Sequence, residues 1–218
     1  MKFELFGRTE IHFGIFFRRI LALRDIPAIG IKAGDVGGLV DAEDRLSQDG
    51  NAWVYGNARV YGDAQVYGNA WVHGNARVYG NAWVHGDAQV HGNAWVYGDA
   101  RVYGDAWVHG NAWVHGDARV YGNARVYGNA WVYGDAQVSG DAHWLLIGPI
   151  GSRMSMMTVT ADARIGLRVT TGCFSGSLAE FEAAIAATHG DNEHAIHYRA
   201  AIALIRARFP EQAKAVAA

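Results

Sequence analysis

An uninterrupted internal repeat occupies the middle of the chain and restricts its fold more than any other feature. Residues 51–140 are fifteen consecutive hexapeptides of the form Asn/Asp-Ala-x-Val-y-Gly. The x position is Trp, Arg or Gln, and the y position is Tyr or His with Ser139 as the single exception. A unit this short cannot bury a core by itself, so the copies must stack on one another.

Each hexad is typical of a short strand followed by a corner. Side chains alternate along a strand, so Ala and Val share one face and x and y share the other. Small Ala and β-branched Val suit a narrow packed interior. The Gly-Asn or Gly-Asp pair tolerates the positive φ that a sharp corner needs. The hexads therefore predict parallel coils that satisfy each other's backbone groups.

A second period, of eighteen residues, runs through the hexads. Taking every third hexad gives two clear columns: Asn57, Asn75, Asn93, Asn111 and Asn129, and Arg59, Arg77, Trp95, Trp113 and Trp131. This period predicts three hexads per coil. The predicted fold is mainly β, a triangular prism of about five regular coils with like residues stacked.

Two resemblances follow from these residues. Val-y-Gly-Asn-Ala-x resembles the hexapeptide motif of left-handed parallel β-helix proteins, which implies that hand for residues 51–140. The layout is also similar to hexapeptide-repeat proteins of phages and prophages. The segments that carry this second resemblance are 33–39 (AGDVGGL), 51–56 (NAWVYG), 147–153 (IGPIGSR) and 172–176 (GCFSG). It implies a phage or prophage association and no settled activity.

The flanking sequences predict three regions: an N-terminal β cap over 1–50, the repeat domain over 51–142 and a small α+β domain over 143–218. An open solenoid end exposes unpaired strand edges, so caps are expected. In the last region we expect three strands, near 144–147, 157–160 and 165–170. Residues 211–218 are predicted to fray.

Two helices are predicted in the last region. Ser177 and Glu180 form a capping box that opens a helix over about 178–188. A second helix is expected over about 192–209, halted by Pro210. Its spacing predicts an apolar stripe made of Ile196, Ala200, Ala203, Leu204 and Ala207.

The C-terminal region contains the residues that we expect to bind a ligand: Ser152, Arg153, Cys173 and His189. A glycine-rich turn ending in Ser152 and Arg153 can present backbone N–H groups and a guanidinium to an anion. Cys173 and His189 form a candidate nucleophile pair, with Asp191 to orient the base. The alternatives are a plain turn, a small buried thiol and a helix end.

The solenoid carries two further candidate sites. The aromatic surface made of Trp95, Trp113, Trp131, Tyr97 and Tyr133 is a candidate interface, or a surface for sugar rings or nucleobases. One y column contains His73, His91 and His109, one histidine per coil, which is a candidate zinc site. The alternative for both is a ladder of like aromatics that stabilises neighbouring coils.

Composition and charge exclude several classes of protein. A formal net charge of −2 gives no electrostatic footprint for duplex nucleic acid or an anionic membrane. No apolar run approaches the roughly 18 residues of a transmembrane helix. A single cysteine excludes an intramolecular disulfide. We expect a cytoplasmic protein without a cofactor, with a place in a virion left open.

These observations predict a non-enzymatic structural and binding protein. The solenoid is expected to self-associate, with a trimer favoured because trimers are common among its β-helix relatives. The C-terminal domain is expected to bind a host partner or a small anionic ligand such as a nucleotide signal. One alternative is a phage particle component that binds glycan. Another is a hexapeptide-fold transferase, although no loop interrupts the hexads as the active sites of such enzymes usually require.

Overall fold

The computed structural model describes residues 1–140 and 143–210 of the 218-residue chain. Within these residues the chain forms a β-solenoid, with a hairpin at its N-terminal end and an antiparallel sheet covered by two helices at its C-terminal end. No helix among them is long and apolar enough to cross a membrane. The predicted frayed end over 211–218, and residues 141–142, lie outside the described residues.

The N-terminal region joins the solenoid through its third strand. Its elements are β1 (Phe3–His12), β2 (Ile15–Ala22), β3 (Val36–Val40) and two short 3-10 turns, Pro27–Ile29 and Glu43–Arg45. Strands β1 and β2 form an antiparallel hairpin, and β2 pairs with β3. Strand β3 then pairs in parallel with the first hexad strand of that face, and Leu46 bridges Val66.

The x residue and Val of every hexad form a two-residue strand. These strands are β4 (Trp53–Val54), β5 (Arg59–Val60), β6 (Gln65–Val66), β7 (Trp71–Val72), β8 (Arg77–Val78), β9 (Trp83–Val84), β10 (Gln89–Val90), β11 (Trp95–Val96), β12 (Arg101–Val102), β13 (Trp107–Val108), β14 (Trp113–Val114), β15 (Arg119–Val120), β16 (Arg125–Val126), β17 (Trp131–Val132) and β18 (Gln137–Val138). The hexads make five turns, and residues 36–46 add one ahead of them, so the solenoid has about six turns.

Three sheets form the sides of the solenoid, as the eighteen-residue period predicts. Face 1 contains β3-β5-β8-β11-β14-β17, face 2 contains β4-β7-β10-β13-β16, and face 3 contains β6-β9-β12-β15-β18. Partner strands are parallel and one full turn apart, so that Trp95 lies beside Trp113. The Trp95 N–H donates to the Ala112 carbonyl at 2.9 Å, and the Tyr97 N–H to the Val114 carbonyl at 3.0 Å.

The interior of the solenoid is made of the hexad Ala and Val side chains, all of which are fully buried. At the outside corners, amide side chains form ladders because the same column recurs in every turn. Asn75 donates to Asn93, Asn93 to Asn111 and Asn111 to Asn129, at 3.1–3.2 Å. The predicted division, with Ala and Val inside and x and y outside, is confirmed except at Trp53, an x residue that is fully buried.

The N-terminal end of the solenoid is closed by Lys2 and Phe3. Phe3 packs edge-on against Trp53, with ring centroids 6.3 Å apart, and both side chains are fully buried. Lys2 Nζ donates to the Ala52 carbonyl at 2.9 Å and the Asp49 carbonyl at 3.3 Å. Burial, and then the charge of Arg24, lowers the pKa of Lys2 to about 8. Lys2 and Phe3 therefore cover this end of the solenoid, whereas residues 36–46 of the region predicted as a cap form a solenoid turn.

The C-terminal end is closed by a four-stranded antiparallel sheet in the order β19 (Trp144–Ile150), β20 (Ser155–Asp162), β21 (Gly166–Thr171) and β22 (Phe174–Ser177). One face of β20 meets the last turn of the solenoid. There the Trp131 N–H donates to Thr158 Oγ1 at 3.0 Å, and Asp162 bridges Ala136. The sequence predicted three of these strands and missed β22.

Two helices cover the other face of this sheet: α1 (Leu178–His189) and α2 (Glu193–Arg208). The capping box forms as predicted, since Ser177 Oγ accepts from the Glu180 N–H and Glu180 Oε2 accepts from the Ser177 N–H. A core between sheet and helices contains Met157, Val159, Leu167, Val169, Phe181, Ile185, Ile202 and Ile205.

The predicted apolar stripe of α2 is wrong. Ile196 and Leu204 are 59% and 50% exposed. The buried residues of the helix are Ala195, Tyr198, Ala201, Ile202 and Ile205. Both stripes have helical spacing, but the buried one contains Tyr198 and two isoleucines and removes more apolar surface from water.

Substitution of a corner glycine can test how closely the turns stack. Gly98 has φ +70°, and a Cβ added there would lie 3.0 Å from the Gly116 nitrogen. We expect Gly98→Ala to lower the free energy of unfolding by at least about 1–2 kcal/mol, because left-handed backbone disfavours Cβ and the next turn leaves no room. Urea unfolding followed by circular dichroism measures this change.

Gly140→Ala is the matched control, since its φ is not in the left-handed region and an added Cβ meets no described atom within 4 Å. It should leave the unfolding midpoint close to that of the unchanged protein. Equal effects of the two substitutions would contradict the tight stacking at the corners.

Candidate functional site

The four residues predicted to bind a ligand line one cavity of about 300 Å³ in the C-terminal domain. Ser152 and Arg153 lie in the turn between β19 and β20, Cys173 lies in the turn between β21 and β22, and His189 is the last residue of α1. Two hairpin turns and a helix end thus meet at one place. Among residues 1–140 and 143–210, every residue that lines the cavity belongs to this domain.

The polar side of the cavity contains a cation next to a thiol. Arg153 donates from its terminal guanidinium nitrogen to Cys173 Sγ at 3.1 Å, and the thiol is exposed. Among the described residues, no carboxylate forms an ion pair with Arg153. Its charge is therefore available to an anionic ligand.

Thr171 adds an unpartnered hydroxyl to the same cavity. The residue lines the cavity and is only 7% exposed, and its buried Oγ1 has no hydrogen-bond partner among the described residues. A buried hydroxyl without a partner costs about 1–3 kcal/mol. A ligand that supplies the missing hydrogen bond would recover that free energy.

The opposite wall of the cavity is aromatic and aliphatic. Phe174 and Phe181 lie 5.1 Å apart between ring centroids, and Tyr198 packs edge-on against Phe181 at 5.4 Å. Burial raises the pKa of Tyr198, so its phenol stays a neutral donor. Sequence reasoning missed Thr171 and these three aromatics. Only Phe174 gave a signal, as a neighbour of the singled-out Cys173.

The proposed nucleophile pair of Cys173 and His189 is not assembled in the described residues. The thiol's hydrogen-bond partner is Arg153, whereas the His189 ring lies against His194 and Tyr198 at 5.7 and 5.6 Å. Asp191 accepts from Arg199 at 2.7 Å and does not orient His189. The side chain that the thiol contacts is therefore a cation and not a base, although His189 lines the same cavity.

The aromatic surface of face 1 is a continuous stack. Trp95, Trp113 and Trp131 follow one another at 4.9 and 5.3 Å with nearly parallel rings. Tyr97 and Tyr133 flank His115 in a second column beside them, at 4.7 and 4.9 Å. Arg77 lies over the first indole, 4.6 Å from the Trp95 ring centroid.

The three histidines of face 2 also form a stack. His73 and His91 lie 4.6 Å apart between ring centroids, and His91 and His109 lie 4.9 Å apart, with planes within 6° of parallel. Ring-nitrogen lone pairs lie in the ring planes, so parallel rings do not converge on one ion. Among the described residues no group of three or more potential ligands is placed to hold a metal. This geometry favours an aromatic ladder.

Comparison with known proteins concerns the solenoid. A family model described as YdcK Beta solenoid repeat matches residues 52–68, 72–86, 94–110, 100–116 and 118–134. None of the curated proteins matches the sequence. The repeat match and the stacked parallel turns define a β-solenoid repeat protein. The matched segments do not include any residue that lines the cavity.

The histidine ladder predicts loss of stability in acid. Burial, and then the charges of His73 and His109, lowers the pKa of His91 to about 4 from the ordinary value of 6.5. A lowered folded-state pKa means that the unfolded chain binds the proton first as the pH falls. The contribution of His91 is therefore complete above about pH 6.5 and is lost between about pH 6.5 and 4.

His91→Tyr should reduce this acid sensitivity, because tyrosine occupies the same column at residues 55 and 127 and stays neutral in that range. Melting temperatures from pH 7.5 to 4.5 should fall less for His91→Tyr than for the unchanged protein. His197→Tyr, on the exposed side of α2, is the control and should keep the original profile. Identical profiles for all three proteins would refute the ladder's role.

Proposed function

We propose that this chain is a non-enzymatic structural and binding protein with two parts. The solenoid is a left-handed hexapeptide-repeat β-helix that self-associates, and the C-terminal domain binds a small anionic ligand. The observation that carries the proposal is the cavity in which Arg153 lacks a carboxylate partner and the Thr171 hydroxyl lacks any partner among the described residues.

The lining of the cavity favours a ligand with an anionic end and a flat apolar part. A guanidinium matches carboxylate and phosphate oxygens through paired hydrogen bonds. Phe174, Phe181 and Tyr198 form a wall against which a ring can stack. A volume of about 300 Å³ is at the small end of the range for ligand sites. A mononucleotide-sized molecule is the class that fits both walls.

The resemblance to phage proteins suggests where this binding takes place. We propose that the protein acts in the cytoplasm of a bacterial host, where it binds a host partner or sequesters a nucleotide signal. A particle component that binds glycan through the Trp95, Trp113 and Trp131 surface is the second candidate, because partly exposed aromatic rings suit sugar rings. A transferase has less support, since fifteen hexads run without an inserted loop.

Adenosine 5′-monophosphate is the probe for the cavity, with adenosine as the uncharged comparison. Isothermal titration calorimetry should detect binding of the monophosphate and little binding of adenosine. Arg153→Gln should weaken binding of the monophosphate about tenfold or more, because a charge-assisted hydrogen bond contributes roughly 1.5–3 kcal/mol. Arg119→Gln, on exposed face 3, is the matched control and should bind like the unchanged protein.

Thr171→Val separates a ligand contact from a structural role. The hydroxyl has no partner among the described residues, so its removal should leave the melting temperature equal or higher. The same change should weaken binding of the monophosphate. Two results would contradict the proposed anion site. One is equal binding of the monophosphate by Arg153→Gln, Thr171→Val and the unchanged protein. The other is that none of the three proteins binds either the monophosphate or inorganic phosphate.

Self-association is proposed through face 1, with another copy of this chain as the partner. Face 1 has three consecutive tryptophans, whereas face 3 has a single one and the three on face 2 are interrupted by Gln89. A contiguous aromatic surface is typical of a contact region. A trimer is the assembly that we propose, as in the β-helix proteins that this chain resembles.

Two tryptophans of equal exposure test which face is used. Trp131 on face 1 is 40% exposed and Trp83 on face 3 is 41% exposed. Sedimentation equilibrium should give three times the chain mass for the unchanged protein and for Trp83→Gln. Trp131→Gln should shift the distribution toward single chains. A mass of one chain for the unchanged protein would contradict self-association.

A further inference from the structure

We propose that Cys173 is a modification site at which a small disulfide carrying an anionic group forms a mixed disulfide with the protein. Arg153 holds the anion beside the sulfur. The inference rests on the same cavity as the proposed ligand site, but it adds a covalent reaction that ligand binding does not require.

The position of Cys173 meets the first requirement for thiol exchange, which is access. The residue is exposed in the turn between β21 and β22, at the rim of the cavity of about 300 Å³. An incoming disulfide can therefore reach Sγ with one half placed in the cavity. A buried structural thiol would not allow this approach.

The second requirement is a charge that selects the reagent. The guanidinium of Arg153 donates to Sγ at 3.1 Å, so a cation adjoins the reacting atom. A carboxylate or phosphate drawn to this cation is brought within a few ångströms of the sulfur. Thr171 lines the same cavity, and its buried hydroxyl, which has no partner among the described residues, is a further donor for that anion.

The exchange is balanced without another oxidant. The Cys173 thiol loses its proton to solvent, and the sulfur attacks one sulfur of the small disulfide. A new S–S bond forms to Cys173 as the old one breaks, and the other half leaves as a thiolate. One disulfide is consumed and one is formed, so no net oxidation occurs.

The presence of a single cysteine affects how the mixed disulfide can be reversed. Cys173 is the only cysteine of the chain, so no second thiol of the same chain can displace the attached group. The mixed disulfide therefore persists until a thiol from solution reverses it. While attached, the group occupies the cavity and excludes other anionic ligands.

Charge selectivity of thiol exchange tests the inference. The two reagents are 5,5′-dithiobis(2-nitrobenzoate), which carries two carboxylates, and uncharged 4,4′-dithiodipyridine. Both release coloured thiones or thiolates, and the single cysteine makes the signal specific to Cys173. The quantity measured is the ratio of the two second-order rate constants at one pH and ionic strength.

This ratio should be about tenfold higher for the unchanged protein than for Arg153→Gln, which is the rate equivalent of one charge-assisted hydrogen bond. Arg119→Gln is the control and should keep the high ratio. Added salt should lower the ratio in the unchanged protein and have less effect in Arg153→Gln. Equal ratios in the unchanged protein and Arg153→Gln, or no reaction with either reagent, would overturn the inference.

Cys173→Ser separates this inference from the proposed ligand site. If Cys173→Ser binds adenosine 5′-monophosphate but the rate ratio does not depend on Arg153, the covalent site fails and the ligand site stands. If the ratio depends on Arg153 but neither the monophosphate nor inorganic phosphate binds, the thiol site stands and the proposed ligand function fails.

Discussion

Backbone hydrogen bonding between successive turns is the interaction on which the rest of this protein depends. A two-residue strand is too short to be stable alone. It is stable here because its backbone groups form hydrogen bonds with the next turn and because the Ala and Val side chains are buried in the interior. Every other regular feature follows from this stacking. The amide ladders and the aromatic stacks form because residues eighteen apart in sequence are neighbours in space.

The sequence was most informative where structure is local and repeated. The hexad predicted the strand, the buried Ala and Val and the corner glycine, because each is determined within six residues. The eighteen-residue columns predicted three faces, since partners such as Trp95 and Trp113 recur in register. The turn made by residues 36–46 was missed because it lacks the hexad pattern and is recruited by pairing with Arg59–Val60.

The C-terminal domain was only partly predictable because its structure depends on distant contacts. Cys173 and Arg153 were found as unusual residues in turns, but their adjacency depends on two hairpins aligning. Thr171 and Tyr198 carried no signal, since one belongs to an ordinary strand and the other to a helix with two competing apolar stripes. The choice between those stripes is made by the sheet against which α2 packs, and helical spacing alone predicted the wrong one.

The structure separates two kinds of surface that the same nucleotide-like ligand could use. The cavity offers a guanidinium, a hydroxyl and an aromatic wall, whereas the solenoid offers stacked indoles with the Arg77 guanidinium over the first of them. A crystal structure of the full chain soaked with adenosine 5′-monophosphate distinguishes them directly. We expect density for the phosphate beside Arg153 and Thr171, with the base against Phe174 and Phe181. Density on Trp95, Trp113 and Trp131, with the cavity unoccupied, would contradict it.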